Sequence, residues 1–227
     1  MRLVKYPGNV DKESVDPFTE NIWLFFGTAI IISFSGVMTP GPLFAAAIAK
    51  GYKDRRAGVK IALGHGLVEF PLMVLIFFSI GYIFTDPAVK LAIGLIGGCF
   101  MIYMGLSMLK ARKAIASGEK EYFPYDSFWA GAVTTSVNPY FFFWWATVGA
   151  WLILNAQLFG ALVVAVFAVV HWSCDLAWYT FTSFTVFRTK HLWTPLVQEI
   201  VFGGCAVLMI AFGAYFVIGP GQELLGV

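Results

Sequence analysis

The chain has 227 residues, of which 59% are hydrophobic and 12% charged, with a formal net charge of +2. A typical soluble domain carries about twice that share of charge, so water is excluded as the solvent for most of this surface. The small positive balance leaves no electrostatic footprint for nucleic acid.

In chain order, Met1 to Pro17 is polar, with Arg2, Lys5, Asp11, Lys12, Glu13 and Asp16. It has no short apolar core of the kind a cleavable signal carries, so the first apolar block is expected to act as the insertion signal. That block, Asn21 to Ala49, contains no Asp, Glu, Lys or Arg; Ile61 to Phe84 contains only Glu69, and Leu91 to Leu109 contains none. After the charged stretch Lys110 to Asp126 comes Ser127 to Leu154, again free of charge. Only Asn155-Ala156-Gln157, read as a tight helical hairpin, separates it from Leu158 to Phe187, and Ile200 to Ile218 closes the series. Each block approximates the roughly 20 residues that cross a bilayer as a helix. The runs are continuous, whereas barrel strands alternate over about ten residues, so six helical spans are predicted.

Topology follows from the basic residues. The sides holding Lys50 to Lys60, Lys110 to Asp126 and Arg188 to Glu199 carry 11 Lys and Arg against 4 on the other side. The positive-inside rule places those three stretches in the cytoplasm and both termini outside. Cys99, Cys174 and Cys205 fall within the spans and form neither a CxxC pair nor a disulfide framework.

The two halves are related. His65-Gly66-Leu67-Val68-Glu69 shares its His-x-x-x-acid spacing with His171-Trp172-Ser173-Cys174-Asp175, and Gly97-Gly98-Cys99 recurs as Gly203-Gly204-Cys205, both at an offset of 106. The regions of Pro42 and Pro139 correspond at an offset of 97. Each repeat is then three helices. An odd number of spans inverts the second copy, because Lys110 to Asp126 holds seven charges and cannot itself cross. The expected fold is an all-α membrane protein of six helices in two inverted-topology three-helix repeats. Its expected divisions are a polar segment 1–17, a first repeat 18–112, a charged linker 113–126, a second repeat 127–218 and a tail 219–227. Such repeats are common among secondary transporters.

Both repeats are interrupted in their first helix. The first block has 29 residues, about 43 Å at helical rise against a hydrocarbon core of about 30 Å. Within it, Thr39-Pro40-Gly41-Pro42 removes two backbone donors. Ser136-Val137-Asn138-Pro139 interrupts the fourth block at the corresponding place. Irregular backbone survives in a membrane only where protein or a polar cavity covers it, so Thr39, Pro40, Gly41, Pro42, Asn138 and Pro139 are candidate substrate-binding residues.

Thr39-Pro40-Gly41-Pro42, the following Gly51 and Gly58, the Phe-x2-Gly run from Phe128 to Gly131, and Asn138-Pro139 together resemble the LysE/RhtB family of amino-acid exporters. The resemblance covers roughly Ile22 to Ile218. It implies a six-helix, non-enzymatic transporter in the cell membrane that exports amino acids or related amine-bearing metabolites, driven by a proton or sodium gradient. Asp175 sits where members often carry a fifth-helix Asp, while the two histidines and Glu69 depart from the commoner pattern.

Intramembrane ionisable residues are functional by default, since an ionised side chain at mid-bilayer costs at least about 2.5 kcal/mol. Glu69 must therefore face inward, with His65 one turn away on the same face. His171 and Asp175 repeat that geometry, and the four are candidate coupling residues. Thr134, Thr135, Ser136, Thr147, Thr180 and Thr182 could line a path, although such hydroxyls often bond their own helix. Gly94, Gly98 and Gly105 form a stripe for close helix packing. The run Phe141-Phe142-Phe143-Trp144-Trp145 reads as lipid-facing or core.

Two other functions compete. The four His and acid residues could converge as ligands in a divalent-metal efflux transporter. A transmembrane thiol electron carrier would place cysteine beside the helix-breaking prolines, where this chain has Pro40, Gly41 and Asn138. No Walker A, HExxH or GxSxG motif points to an enzyme, and no cofactor is expected. The expected partners are an amino-acid-like solute, the lipid bilayer and a coupling H+ or Na+; a homo-oligomer is compatible with the sequence.

Overall fold

The computed structural model describes residues 21–78, 87–116 and 124–225. Among these the regular structure is entirely helical. The N-terminal segment, the loop before Pro87 and much of the charged linker lie outside the described residues.

The first block forms α1 (Ile22–Val37) and α2 (Pro42–Lys53), bent by 75° at the predicted break. Asn21 starts α1 by accepting from the backbone N–H groups of Trp23 and Leu24. Helix α3 (Ala57–Phe77) carries Pro71 in its interior, and α4 (Pro87–Ala116) follows. Asp126 caps α5 (Ser127–Ser136) through the N–H groups of Phe128 and Trp129. After the second break, α6 (Pro139–Trp144), a π-helical turn (Trp145–Gly149) and α7 (Ala150–Leu158) run as one span. Helix α8 (Ala161–Arg188), a short 3₁₀ turn (Lys190–Leu192) and α9 (Pro195–Leu225) complete the chain. Five stretches are long and apolar enough to cross a membrane, and the bent α1–α2 pair makes the sixth.

Two boundaries differ from the sequence reading. The crossing part of the fourth block is Pro139–Leu158, with α5 a half-helix before it. The hairpin is not at Asn155-Ala156-Gln157, which remain helical, but at Phe159-Gly160, where Gly160 has φ +105°. Asn155 donates back to the Trp151 carbonyl and Gln157 donates across to that of Phe77, so neither side chain ends the helix. The turn instead uses the left-handed backbone that glycine adopts without steric cost.

Helix α3 lies centrally, against α5 on one side and α8 on another, and α4 packs along α9. The α3–α5 crossing brings backbones together: a Cβ on Gly64 would collide with the Phe128 carbonyl, and one on Gly131 with that of Ile61. The contacts are reciprocal between halves. Helix α3 meets α5 and α7 of the second half, and α8 meets α1 and α2 of the first; α4 touches α6, and α9 touches α2. Large apolar side chains face outward, among them Trp23, Ile31, Ile96, Leu162 and Ile200, which is the inversion a lipid solvent requires.

Candidate substrate and coupling site

The polar groups gather at the centre. Helix α3 carries His65 and Glu69 one turn apart, α8 carries His171 and Asp175 likewise, and all four are buried, Glu69 to 1% and Asp175 to 2% exposure. The two pairs form one cluster. Glu69 Oε1 lies 3.0 Å from His65 Nε2 and 3.2 Å from His171 Nε2, and it also accepts from the Trp145 indole N–H at 3.2 Å. Asp175 stands 3.5 Å from His65 Nε2 and 3.8 Å from His171 Nε2.

Each histidine is held from behind by a hydroxyl of the opposite half. His65 Nδ1 lies 2.8 Å from Thr135 Oγ1, and His171 Nδ1 lies 2.7 Å from Ser33 Oγ. Thr135 gives its proton to the Gly131 carbonyl at 2.8 Å, so its oxygen accepts from His65 Nδ1–H and Nε2 is the atom presented to the acids. Trp144 stacks on the His171 ring at 5.1 Å, and Phe141 meets His65 edge-on at 5.3 Å. The π-helical turn aims Trp145 at Glu69, and Gly149 leaves room for its indole, which a Cβ there would strike.

The breaks open onto the same place. Thr39, Pro40, Gly41, Pro42 and Asn138 line a cavity of about 70 Å³ together with His65, Glu69, His171 and Asp175. Pro139 does not: it turns outward against Gly97 of α4, into an apolar groove with Ile96 and Phe100. Thr39 Oγ1 and the Tyr140 hydroxyl meet at 3.1 Å, joining one break to the other. The two helix starts differ in their free donors. Asn138 Oδ1 already accepts from Tyr140 N–H at 3.1 Å, whereas no side chain caps α2 after Gly41. Leu43 and Phe44, whose N–H groups open α2, line the cavity.

The hydrogen bonding of the two acids is incomplete. Among the described residues, Glu69 Oε2 and Asp175 Oδ2 are buried and accept no hydrogen bond, and a desolvated carboxylate oxygen without a partner is costly. The arrangement is suited to receive a cation.

A family model described as LysE type translocator matches residues 11–219. The chain belongs to the LysE type translocator family. No curated protein and no solved structure matches it. The family is one of transporters, and with the apolar helices it makes this translocator a multi-pass membrane protein.

Sequence reasoning missed Ser33 and the inward role of Trp145, and it left Thr135 as one hydroxyl among several. A signal for Thr135 existed in its place one turn before Asn138. Ser33 offered none.

Proposed function

We propose that this translocator exports amino acids or related small amine-bearing metabolites across the cell membrane, in exchange for a proton or sodium ion. The observation that carries the reading is the meeting of both breaks and both His–acid pairs on one buried cavity. A zwitterionic substrate needs an anion site and a cation site. The uncapped start of α2 offers backbone N–H groups and a helix dipole to a carboxylate. Glu69 and Asp175 offer unpartnered oxygens to an ammonium.

Exchange follows from electrostatics. Two carboxylates in a dry cluster must be balanced by imidazolium, by a bound ion or by the substrate's ammonium. Loading one cation displaces another, which ties substrate movement to the gradient. The cavity holds only a few waters at about 10–15 Å³ each, so a larger solute enters only if the two breaks separate. The reciprocal contacts of the halves support an inverted three-helix repeat as the moving unit, with 18–112 and 127–218 as the two copies.

Counterflow in liposomes holding the purified protein tests this. A panel of amino acids is loaded inside, with internal pH followed by a dye and sodium varied. Saturable exchange of at least one amino acid, with an ion flux that scales with it, is expected; liposomes that exchange none of the panel would sink the reading.

A further inference from the structure

We propose that the His65–Glu69–His171–Asp175 cluster is also a binding site for a divalent first-row transition cation of the Zn2+ type, which competes there with the amine. The inference stands on the geometry of the cluster and goes beyond the export reading. Four atoms point inward: Nε2 of His65, Nε2 of His171, Oε1 of Glu69 and a carboxylate oxygen of Asp175. Glu69 Oε1 lies 3.0 Å from His65 Nε2 and 3.2 Å from His171 Nε2, while Asp175 Oδ1 lies 3.5 Å from His65 Nε2 and its other oxygen, Oδ2, 3.8 Å from His171 Nε2. A tetrahedron with metal–ligand bonds of about 2.05 Å has edges of about 3.3 Å. The His65 contacts to Glu69 and Asp175 bracket that edge, so these three form the core of the site, and His171 must move inward to complete the shell. Ligand atoms of His65, Glu69 and Asp175 already lie within 4.8 Å of one another.

The outer contacts are those a metal-binding imidazole has. Each Nδ1 is engaged by a hydroxyl, Thr135 for His65 and Ser33 for His171. This fixes the ring orientation and leaves Nε2 for the ion. Because the Thr135 proton is committed to Gly131, His65 keeps its Nδ1–H, and Nε2, which donates to Glu69 when the ring is protonated, offers its lone pair to an ion once that proton leaves. Glu69 Oε2 and Asp175 Oδ2, buried and accepting no hydrogen bond among the described residues, are an independent observation that points to a cation ligand. Two neutral imidazoles and two carboxylates balance a charge of +2, and nitrogen ligands favour the zinc, cobalt and nickel range over Mg2+ or Ca2+, which prefer all-oxygen shells.

The test uses full-length protein in detergent, stripped with a chelator and titrated with Co2+ and Zn2+. One ion per chain is expected, with the intense visible absorption of four-coordinate cobalt. His171→Gln and Asp175→Asn should each weaken binding at least tenfold. Thr135→Val should weaken it by about 10- to 100-fold, as loss of an outer-shell partner does, while Thr135→Ser restores it. If either ligand variant fails to give monodisperse protein, the two Thr135 variants decide. Six-coordinate cobalt spectra, or affinities unchanged in Thr135→Val and the folded ligand variants, would overturn the site and assign the ion elsewhere, such as exposed His191. Binding needs no transport, so the two readings fail separately. Metal binding without amine exchange removes the export reading alone, and amine exchange untouched by saturating Zn2+ removes the competition.

Discussion

His171 Nε2 lies 3.2 Å from Glu69 of α3 but 3.8 Å from Asp175 on its own helix. The two acids are therefore unequal. Glu69 Oε1 gathers His65, His171 and Trp145, while the contacts of Asp175 to the two histidines are the longer ones. Removing the Glu69 charge leaves three donors facing a weakened acceptor, and breaking a buried ion pair from one side costs about 3 kcal/mol or more. Glu69→Gln should lower thermal stability by about that amount and Asp175→Asn by about 1 kcal/mol, while both lose gradient-driven transport. Thermal unfolding in detergent beside liposome uptake separates the effects; equal destabilisation would contradict the asymmetry.

The two proline breaks should also behave differently. At the second, Asn138 already occupies the Tyr140 N–H, so little is left for a substrate carboxylate. At the first, α2 begins without a side-chain cap. Pro42→Ala should weaken binding of a transported amino acid about tenfold, the value of one lost hydrogen bond to a charged group. Pro139→Ala should change it less than about threefold. Decarboxylated analogues should bind the native protein worse than their parents and lose that disadvantage in Pro42→Ala. Equilibrium binding to purified protein measures all of these, and equal losses at the two prolines would remove the carboxylate from the start of α2.

The spans, the breaks and the inward acids were legible because each violates what a lipid solvent allows: long uncharged runs, prolines inside them, a lone charge in an apolar block. The arrangement across helices was not. Equal His-x-x-x-acid spacing suggested two equal pairs, but which partner lies nearer is set by how α3 crosses α8. The hairpin was misplaced because Asn155 and Gln157 look like turn residues, whereas both bond carbonyls from within a helix. The π-helical turn at Trp145–Gly149 has no pattern to betray it. Trp145 therefore read as lipid-facing or core; it is core, 1% exposed, but its bond to Glu69 went unread.

The repeated Gly-Gly-Cys motif gives a sharper contrast. A Cβ on Gly98 would stand 2.7 Å from the Gly213 carbonyl and 2.8 Å from Val217, at the tight face of α4 on α9. Its counterpart Gly204 has nothing within 4 Å. Gly98→Ala should cost about 1–3 kcal/mol by overpacking, whereas Gly204→Ala should be neutral or gain up to about 1 kcal/mol from helix propensity. Parallel melting curves of the two variants check this, and an equal loss in both would mean that α9 packs through Gly204 as well.

Orientation can be tested on the α2–α3 connection. Asp54 closes that turn by accepting from Arg56 N–H at 2.9 Å and Lys60 Nζ at 2.8 Å. The Lys60 bond, then the Arg56 N–H, hold its carboxyl below the usual value of 3.8. A lowered folded-state value means that the turn's stabilisation is present above the ordinary carboxylate range and is lost only as pH falls through the folded one. The turn is thus intact in labelling near neutrality, and Arg55 beside it is exposed. With Cys99, Cys174 and Cys205 replaced, a cysteine at Arg55 and one at Gln222 lie five spans apart and so on opposite faces. The 11 to 4 excess of basic residues puts Arg55 in the cytoplasm. In intact cells Arg55→Cys should resist an impermeant thiol reagent and react after permeabilisation, and Gln222→Cys should react in both cases. The reverse pattern would turn the molecule over without changing its fold, and with it the direction in which the uncapped start of α2 receives its substrate. Labelling of both from one side would break the span count itself.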